Sequence, residues 1–234
     1  MTIQFKQVEF SYPAMRSPLL VVNELQIQNG AKVFLHGRSG CGKTTLLSLI
    51  AGILTPTKGS IDVLGHRISE MKDGRRDEFR ADHMGFIFQI FNLVPYLSII
   101  ENILLTTRFS KARRAATANR SRSIEEEAKR LLTAMELSTG EEFLAKKVHE
   151  LSLGQQQRVA AARAFIGSPD IIIADEPTSA LDEESRNSFL DILFEECQQN
   201  ATTLIYVSHD SSKSDRFDAK IDLHSLNQAR TSLS

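Results

Sequence analysis

Gly37-Arg38-Ser39-Gly40-Cys41-Gly42-Lys43-Thr44-Thr45 decides how this chain is read. The stretch fits G-x-x-x-x-G-K-[ST], and its flanks agree: Val33-Phe34-Leu35 reads as a short buried strand and Leu46 onward as a helix. Three glycines let successive backbone N–H groups converge on one point at a helix N-terminus, where an anion is favoured. Lys43 adds a full charge for the β- and γ-phosphates of a nucleotide, and the Thr44 hydroxyl is placed to ligate Mg²⁺. Gly37 to Thr45 is therefore the first candidate nucleotide-binding segment. Cys41 sits beside Lys43 at the same helix end, which activates a thiol and predicts that alkylation blocks nucleotide binding.

The 234 residues are 41% hydrophobic and 24% charged, enough for one substantial α/β domain or a domain with a smaller lobe. Net charge is -1, from 28 basic and 29 acidic residues. That balance points away from nucleic acid and from an anionic membrane surface as partners. Two cysteines, Cys41 and Cys197, make no disulfide framework, so a reducing, cytosolic setting is expected. Met1-Thr2-Ile3-Gln4-Phe5-Lys6 lacks an apolar h-region, so a signal peptide is not expected. The most apolar run, Gly85 to Leu105, is interrupted by Gln89, Asn92, Pro95, Glu101 and Asn102, so a spanning helix is not expected there.

Ile3 and Phe5, then Val8 and Phe10, alternate with polar neighbours as half-buried antiparallel strands do. Leu25 and Ile27 alternate again before the Asn29-Gly30 turn. The helix over Thr45 to Leu54 is apolar almost all round and is expected to run until Pro56 stops it. Gly59 to Val63 begins a further strand, and Gly85 to Phe88 forms a short buried one ending at Gln89. From there to about Ile166 the pattern is helical, with Thr106 to Arg130 read as a solvated helix pair or a mobile stretch. Ile171 to Ala174 is a continuous apolar run, typical of a strand covered on both faces, and Thr202 to Val207 is another. These alternations predict an α/β fold with a mainly parallel core sheet, an N-terminal antiparallel β subdomain and an inserted helical lobe. The boundaries expected are 1–88 with 167–234 for the core and 89–166 for the lobe.

Asp175-Glu176 ends the Ile171–Ile173 run, at the strand end where open α/β sheets place their ligands. Asp175 is the candidate second Mg²⁺ carboxylate. Glu176, one residue on, points elsewhere, toward an attacking water beyond the γ-phosphate.

Beyond these, Leu151-Ser152-Leu153-Gly154-Gln155-Gln156-Gln157-Arg158 precedes the carboxylate strand, and Asp175-Glu176-Pro177-Thr178-Ser179-Ala180-Leu181-Asp182 ends it. With Gln89 and the His209 of Val207-Ser208-His209-Asp210, they resemble the motif set of the ATP-binding cassette (ABC) ATPases, in order and spacing, from Tyr12 to His209. The resemblance implies a head-to-tail homodimer with two ATP molecules sandwiched between each phosphate loop and the partner's signature. Ser152, Gly154 and Gln155 would contact the γ-phosphate held by the other subunit. Tyr12 matches the aromatic that stacks on adenine. Gln89 matches a residue that touches Mg²⁺ or its water and relays the site's state to a membrane partner. His209 matches the histidine that holds the γ-phosphate and orients Glu176, and Asp182 the residue that carries signals across the dimer. Leu153 stands where the family has the first glycine of Leu-Ser-Gly-Gly-Gln; the expectation is that this position tolerates size, against the alternative that a branched side chain slows closure.

Phe88-Gln89-Ile90-Phe91-Asn92-Leu93-Val94-Pro95-Tyr96-Leu97-Ser98, then Glu101-Asn102, resemble the lipoprotein-releasing and macrolide-export group, which implies an integral inner-membrane permease as partner and a peripheral place on the cytoplasmic face. Amino-acid and methionine import ATPases share much of this segment, and a nucleotide-gated regulatory module without transport is a further alternative. The roughly 25 residues after His209 leave no expected regulatory domain.

Overall fold

The computed structural model describes residues 1–13, 15, 17–179 and 181–229; Ala180, within the carboxylate motif, lies outside them. In chain order come strands β1 (Ile3–Phe10), β2 (Leu20–Ile27) and β3 (Lys32–His36), helix α1 (Lys43–Ile50), strands β4 (Lys58–Val63) and β5 (His66–Arg67), and helix α2 (Asp73–His83). Strand β6 (Met84–Phe88) leads into helices α3 (Ile99–Phe109), α4 (Lys111–Arg120), α5 (Ile124–Ala134), α6 (Glu141–Ala145) and α7 (Leu153–Phe165). Then follow β7 (Ile171–Asp175), α8 (Glu183–Asn200), β8 (Thr203–Val207), β9 (Ala219–Asp222) and α9 (Leu223–Leu226). Two compact units result: Met1–Arg80 with Ile205–Ser234, and Ala81–Leu204.

The first unit holds an antiparallel sheet in the order β2-β1-β4-β5. Phe5 of β1 faces Leu25 of β2 and Ile61 of β4 in register, and all three are buried, so the sequence alternation sets which sheet face is covered. Ile3 to Phe10 is one strand, whose pairing with β4 slips between Lys6 and Glu9, where Gln7 takes φ 50. Such a bulge bends the strand without ending it. The same unit holds β3 parallel to β9, with Leu35 opposite Ile221, and Ser208 at the end of β8 donates its N–H to the Leu35 carbonyl at 3.3 Å. Helix α1 stops at Ile50, earlier than its apolar pattern suggests, because Gly52 turns the chain at φ 64.

The second unit sets β6 parallel to β7, and β7 next to its share of β8. Helix α7 lies on β6 at close range: a Cβ on Gly85 would stand 2.3 Å from the Ala164 carbonyl oxygen, so only glycine permits the approach. Val159 to Phe165 of α7 are all buried, and α3 and α5 pack against it. Ser98 and Glu101 close a reciprocal cap on α3, satisfying N–H groups that the helix cannot.

The expected solvated character of Thr106 to Arg130 is corrected here. Arg113 and Glu127 are buried, at 2% and 1% exposure, because α4 and α5 pack into the helical unit. Glu127 and Glu196, both buried, are bridged by Arg130, whose guanidinium bonds Glu127 at 3.0 and 3.1 Å and Glu196 at 2.9 and 3.1 Å. Burial would lower the Arg130 pKa, but hydrogen bonds to Glu196 and Glu127 outweigh it and raise the group above its usual value. The α/β class, with parallel and antiparallel sheets, is borne out.

Candidate active site

In the first unit the chain leaves β3 at His36 and turns through Gly37–Gly42 into α1. Gly40 and Gly42 take φ 74 and 104, in the left-handed region, and Gly42 is the N-cap of α1 with no side chain bonding the helix end. The first N–H groups of α1 are thus left for an anion. The Lys43 ammonium curls back onto the loop, donating to the Gly37 carbonyl at 2.7 Å and the Arg38 carbonyl at 3.3 Å. The loop therefore holds its own cation over its own turn, the charge geometry an oligophosphate needs. Arg38, Ser39, Gly40 and Thr44 are exposed, while Thr45 is buried. The Tyr12 hydroxyl stands 3.4 Å from the Thr45 hydroxyl, and its ring, 40% exposed, packs edge-on against Phe10. His209, exposed after β8, shares a cavity of about 520 Å³ with His36, Gly37, Arg38, Ser211, Asp222 and His224.

Cys41 requires a correction. Its thiol is buried, at 2% exposure, and a Cβ on Gly37 would meet its Sγ at 2.7 Å. The loop folds over its own thiol, so Cys41 is not open to the alkylation that its sequence position suggests.

In the second unit Phe88 and Asp175, the last residues of β6 and β7, are register partners. Gln89 and Glu176 therefore leave adjoining strands at the same sheet edge. Gln89 is exposed, while Asp175 and Glu176 are half-buried. Glu176 takes φ 47, an uncommon conformation for a glutamate and one that concentrates at functional positions. Asp175 and the exposed Thr44 offer hard oxygen donors of the kind Mg²⁺ takes few of, so both fit that ion chemically.

The signature opens α7. Ser152 is its N-cap, its hydroxyl accepting from the Gln155 N–H at 3.3 Å while the Gln155 side-chain amide oxygen Oε1 accepts from the Ser152 N–H at 3.1 Å. Leu153 is the first helical residue, 57% exposed, with its side chain in solvent. Gly154 has room for a Cβ, its nearest neighbour being Leu181 at 3.7 Å. Asp182 caps α8, accepting from the Ser185 N–H at 2.8 Å and hydroxyl at 3.0 Å, and that backbone bond holds its carboxyl below the usual range.

The structure thus brings Tyr12 to Thr45, His209 to Gly37 and Arg38, Gln89 to the Asp175-Glu176 edge, and Ser152 to Gln155. Two supporting residues had no role assigned from sequence. Buried Asn102 bonds both the N–H and carbonyl of Val94 and the carbonyls of Leu97 and Ser98, and Arg163 donates to the Phe91 and Asn92 carbonyls at 2.7 and 2.6 Å. Together they fix the segment that follows Gln89. A charge inside the alanine-rich Ala160–Ala164 run was the available signal for Arg163.

Comparison with known proteins converges on one family. The ABC transporter family matches residues 22–179. The ABC transporter ATP-binding protein YbbA of Escherichia coli K12 is 38% identical over 195 residues, covering 83% of this chain and 81% of its own. The lipoprotein-releasing system ATP-binding protein LolD of Xanthomonas campestris is 34% identical over 210 residues, covering 90% of this chain and 84% of its own. A dimeric, post-hydrolysis structure of the ATP-binding cassette MJ0796 bound to ADP and Pi superposes with a TM-score of 0.80 at 32% identity, over 94% of this chain and 93% of that one. With the phosphate loop, the carboxylate strand end and the capped signature helix in place, this chain belongs to the ABC transporter family, as an ATP-binding ATPase subunit.

Proposed function

We propose that this ATPase drives an inner-membrane permease of the lipoprotein-release or macrolide-export type by closing a head-to-tail homodimer around two ATP molecules. The observation that carries the reading is the Gly37–Thr45 loop, with Lys43 held over the uncapped N-terminus of α1. Gly37 to Thr45 would cradle the phosphates and Tyr12 would stack on adenine. Ser152, Gly154 and Gln155 would reach the γ-phosphate held by the other subunit, their capped helix end supplying a second positive pole. Thr44 and Asp175, with Gln89 through water, would hold Mg²⁺, which when bound neutralises phosphate charge. Glu176 would polarise the attacking water, with His209 orienting it. Asp182 would report across the dimer interface from its fixed place at the start of α8.

The residues 89–166, pinned after Gln89 by Asn102 and Arg163, would act as the lobe that passes closure to the permease on the cytoplasmic face. The 34% identity to LolD supports the lipoprotein-release type. ATP binding would close the dimer and hydrolysis reopen it. Light scattering on Glu176→Gln protein tests this. The mass is expected to double on adding ATP, and a monomer at saturating ATP would contradict the sandwich.

A further inference from the structure

A second cavity, about 260 Å³, opens in the second unit among residues of β6, α3, α4 and α7, including Phe86, Phe88, Leu105, Phe109, Arg113 and Arg163. Its walls are mostly apolar, yet it contains two guanidinium groups. Arg113 is 2% exposed and Arg163 8% exposed. Among the described residues neither forms an ion pair: Arg163 donates to backbone carbonyls, and Arg113 donates to the Ala164 carbonyl and, at 3.5 Å, to that of Met84. The Arg113 Nε–H has no partner, and neither has the buried hydroxyl of Thr106, which lines the same cavity.

A buried cation with no carboxylate in direct contact and an unmet donor is costly, and arginine cannot escape by losing its proton. Burial lowers the Arg113 pKa to about 10, with Asp82 opposing, and the Asp82 carboxylate is itself bonded to the Ser110 hydroxyl at 2.6 Å. The missing element is an acceptor that carries negative charge and enters an apolar chamber. A planar carboxylate matches the free edge of a guanidinium. At ~30 Å³ per water, the chamber takes a body the size of roughly eight to nine waters, which is a small organic acid. Phe109 at 75% exposure and Phe88 at 37% rim the opening with apolar surface for its tail.

We propose that this cavity is a binding site for a small organic acid, its carboxylate received by Arg113 and Thr106 and its apolar tail lying between Phe88 and Phe109. The lining residues all belong to the second unit, and the proposal does not depend on how the nucleotide is used. Hexanoate and 3-phenylpropionate are the probes, added to the full chain and followed by titration of amide NMR shifts and by thermal melting. Both acids are expected to saturate, to shift amides of β6, α3 and α4, and to raise the melting temperature. Hexylammonium and hexanol, with the same tail and no carboxylate, are expected to do neither. Arg113→Met, which keeps the side-chain volume, is expected to weaken hexanoate roughly ten- to hundredfold, the loss of a charge-assisted bond. Phe109→Ala, on the exposed rim and harmless to folding, is expected to weaken 3-phenylpropionate while sparing acetate. Equal binding of hexanol and hexanoate, or unchanged hexanoate affinity in a folded Arg113→Met protein, would overturn the proposal. So would shifts confined to the phosphate loop.

Discussion

Phe88 and Asp175 face each other across the parallel strands β6 and β7, so that Gln89 and Glu176 emerge side by side from the same sheet edge. One residue of slippage would turn the side chains of the slipped strand to the opposite face of the sheet. The register is locked from behind, where Gly85 lets the Ala164 carbonyl approach β6 at a distance that any side chain would forbid. The side-by-side placement of Gln89 and Glu176 thus depends on Gly85, four residues before Gln89.

Arg130 is the bridge between two buried carboxylates. Removing it leaves Glu127 and Glu196 at 1% and 2% exposure without their cation. Arg130→Met is therefore expected to cost roughly 3 kcal/mol, the scale of a broken buried pair. Replacing Glu127 and Glu196 by Gln in the same protein is expected to recover much of that loss. Denaturant unfolding of the single and triple variants checks this; a single variant as stable as the parent would show that the bridge contributes nothing.

His83 Nδ1–H donates to the Asp170 carboxylate at 2.7 Å, and that bond, against the opposing effect of burial, raises its pKa above the usual value. A raised folded value means that the imidazolium stabilises the fold below the unfolded pKa of about 6.5 and that the contribution disappears as pH climbs through the raised value. The pair is partly exposed, so under about 1 kcal/mol is at stake. His83→Gln is expected to be less stable than the parent at pH 6 and equal to it at pH 9. A stability gap that is constant with pH would refute the assignment.

Leu153 takes a helical backbone at the first position of α7 and turns its side chain to solvent. Nothing at that position calls for positive φ, so glycine confers no backbone advantage there. Leu153→Gly is expected to leave ATP turnover within about twofold of the parent and to cost at most about 1 kcal/mol of stability. Steady-state ATPase assays decide it, and a marked acceleration would mean that the branched side chain impedes closure.

The sequence made the phosphate loop, the paired carboxylates and the signature helix legible because each is local: a few consecutive residues carry both the chemistry and the turn that presents it. The alternation of Ile3, Phe5, Val8 and Phe10 likewise announced its strand, though not the bulge at Gln7, which depends on the pairing with β4. What stayed hidden depends on residues far apart in the chain. Arg113 and Glu127 look solvated in a charged stretch, and their burial comes from packing against Ala164 and against Arg130 with Glu196. Cys41 looks reactive by position, and only the folded loop covers it. The φ of Glu176 is a property of the turn after β7 and leaves no trace in composition.

The central claim is that Glu176 activates water while the loop around Lys43 binds the nucleotide. The most direct test is the ATPase rate and ATP affinity of Glu176→Gln protein measured together. The account predicts turnover lower by at least about a hundredfold, the usual scale of losing a positioned general base, with ATP affinity unchanged. Turnover within a few-fold of the parent would contradict it and move the catalytic role away from Glu176.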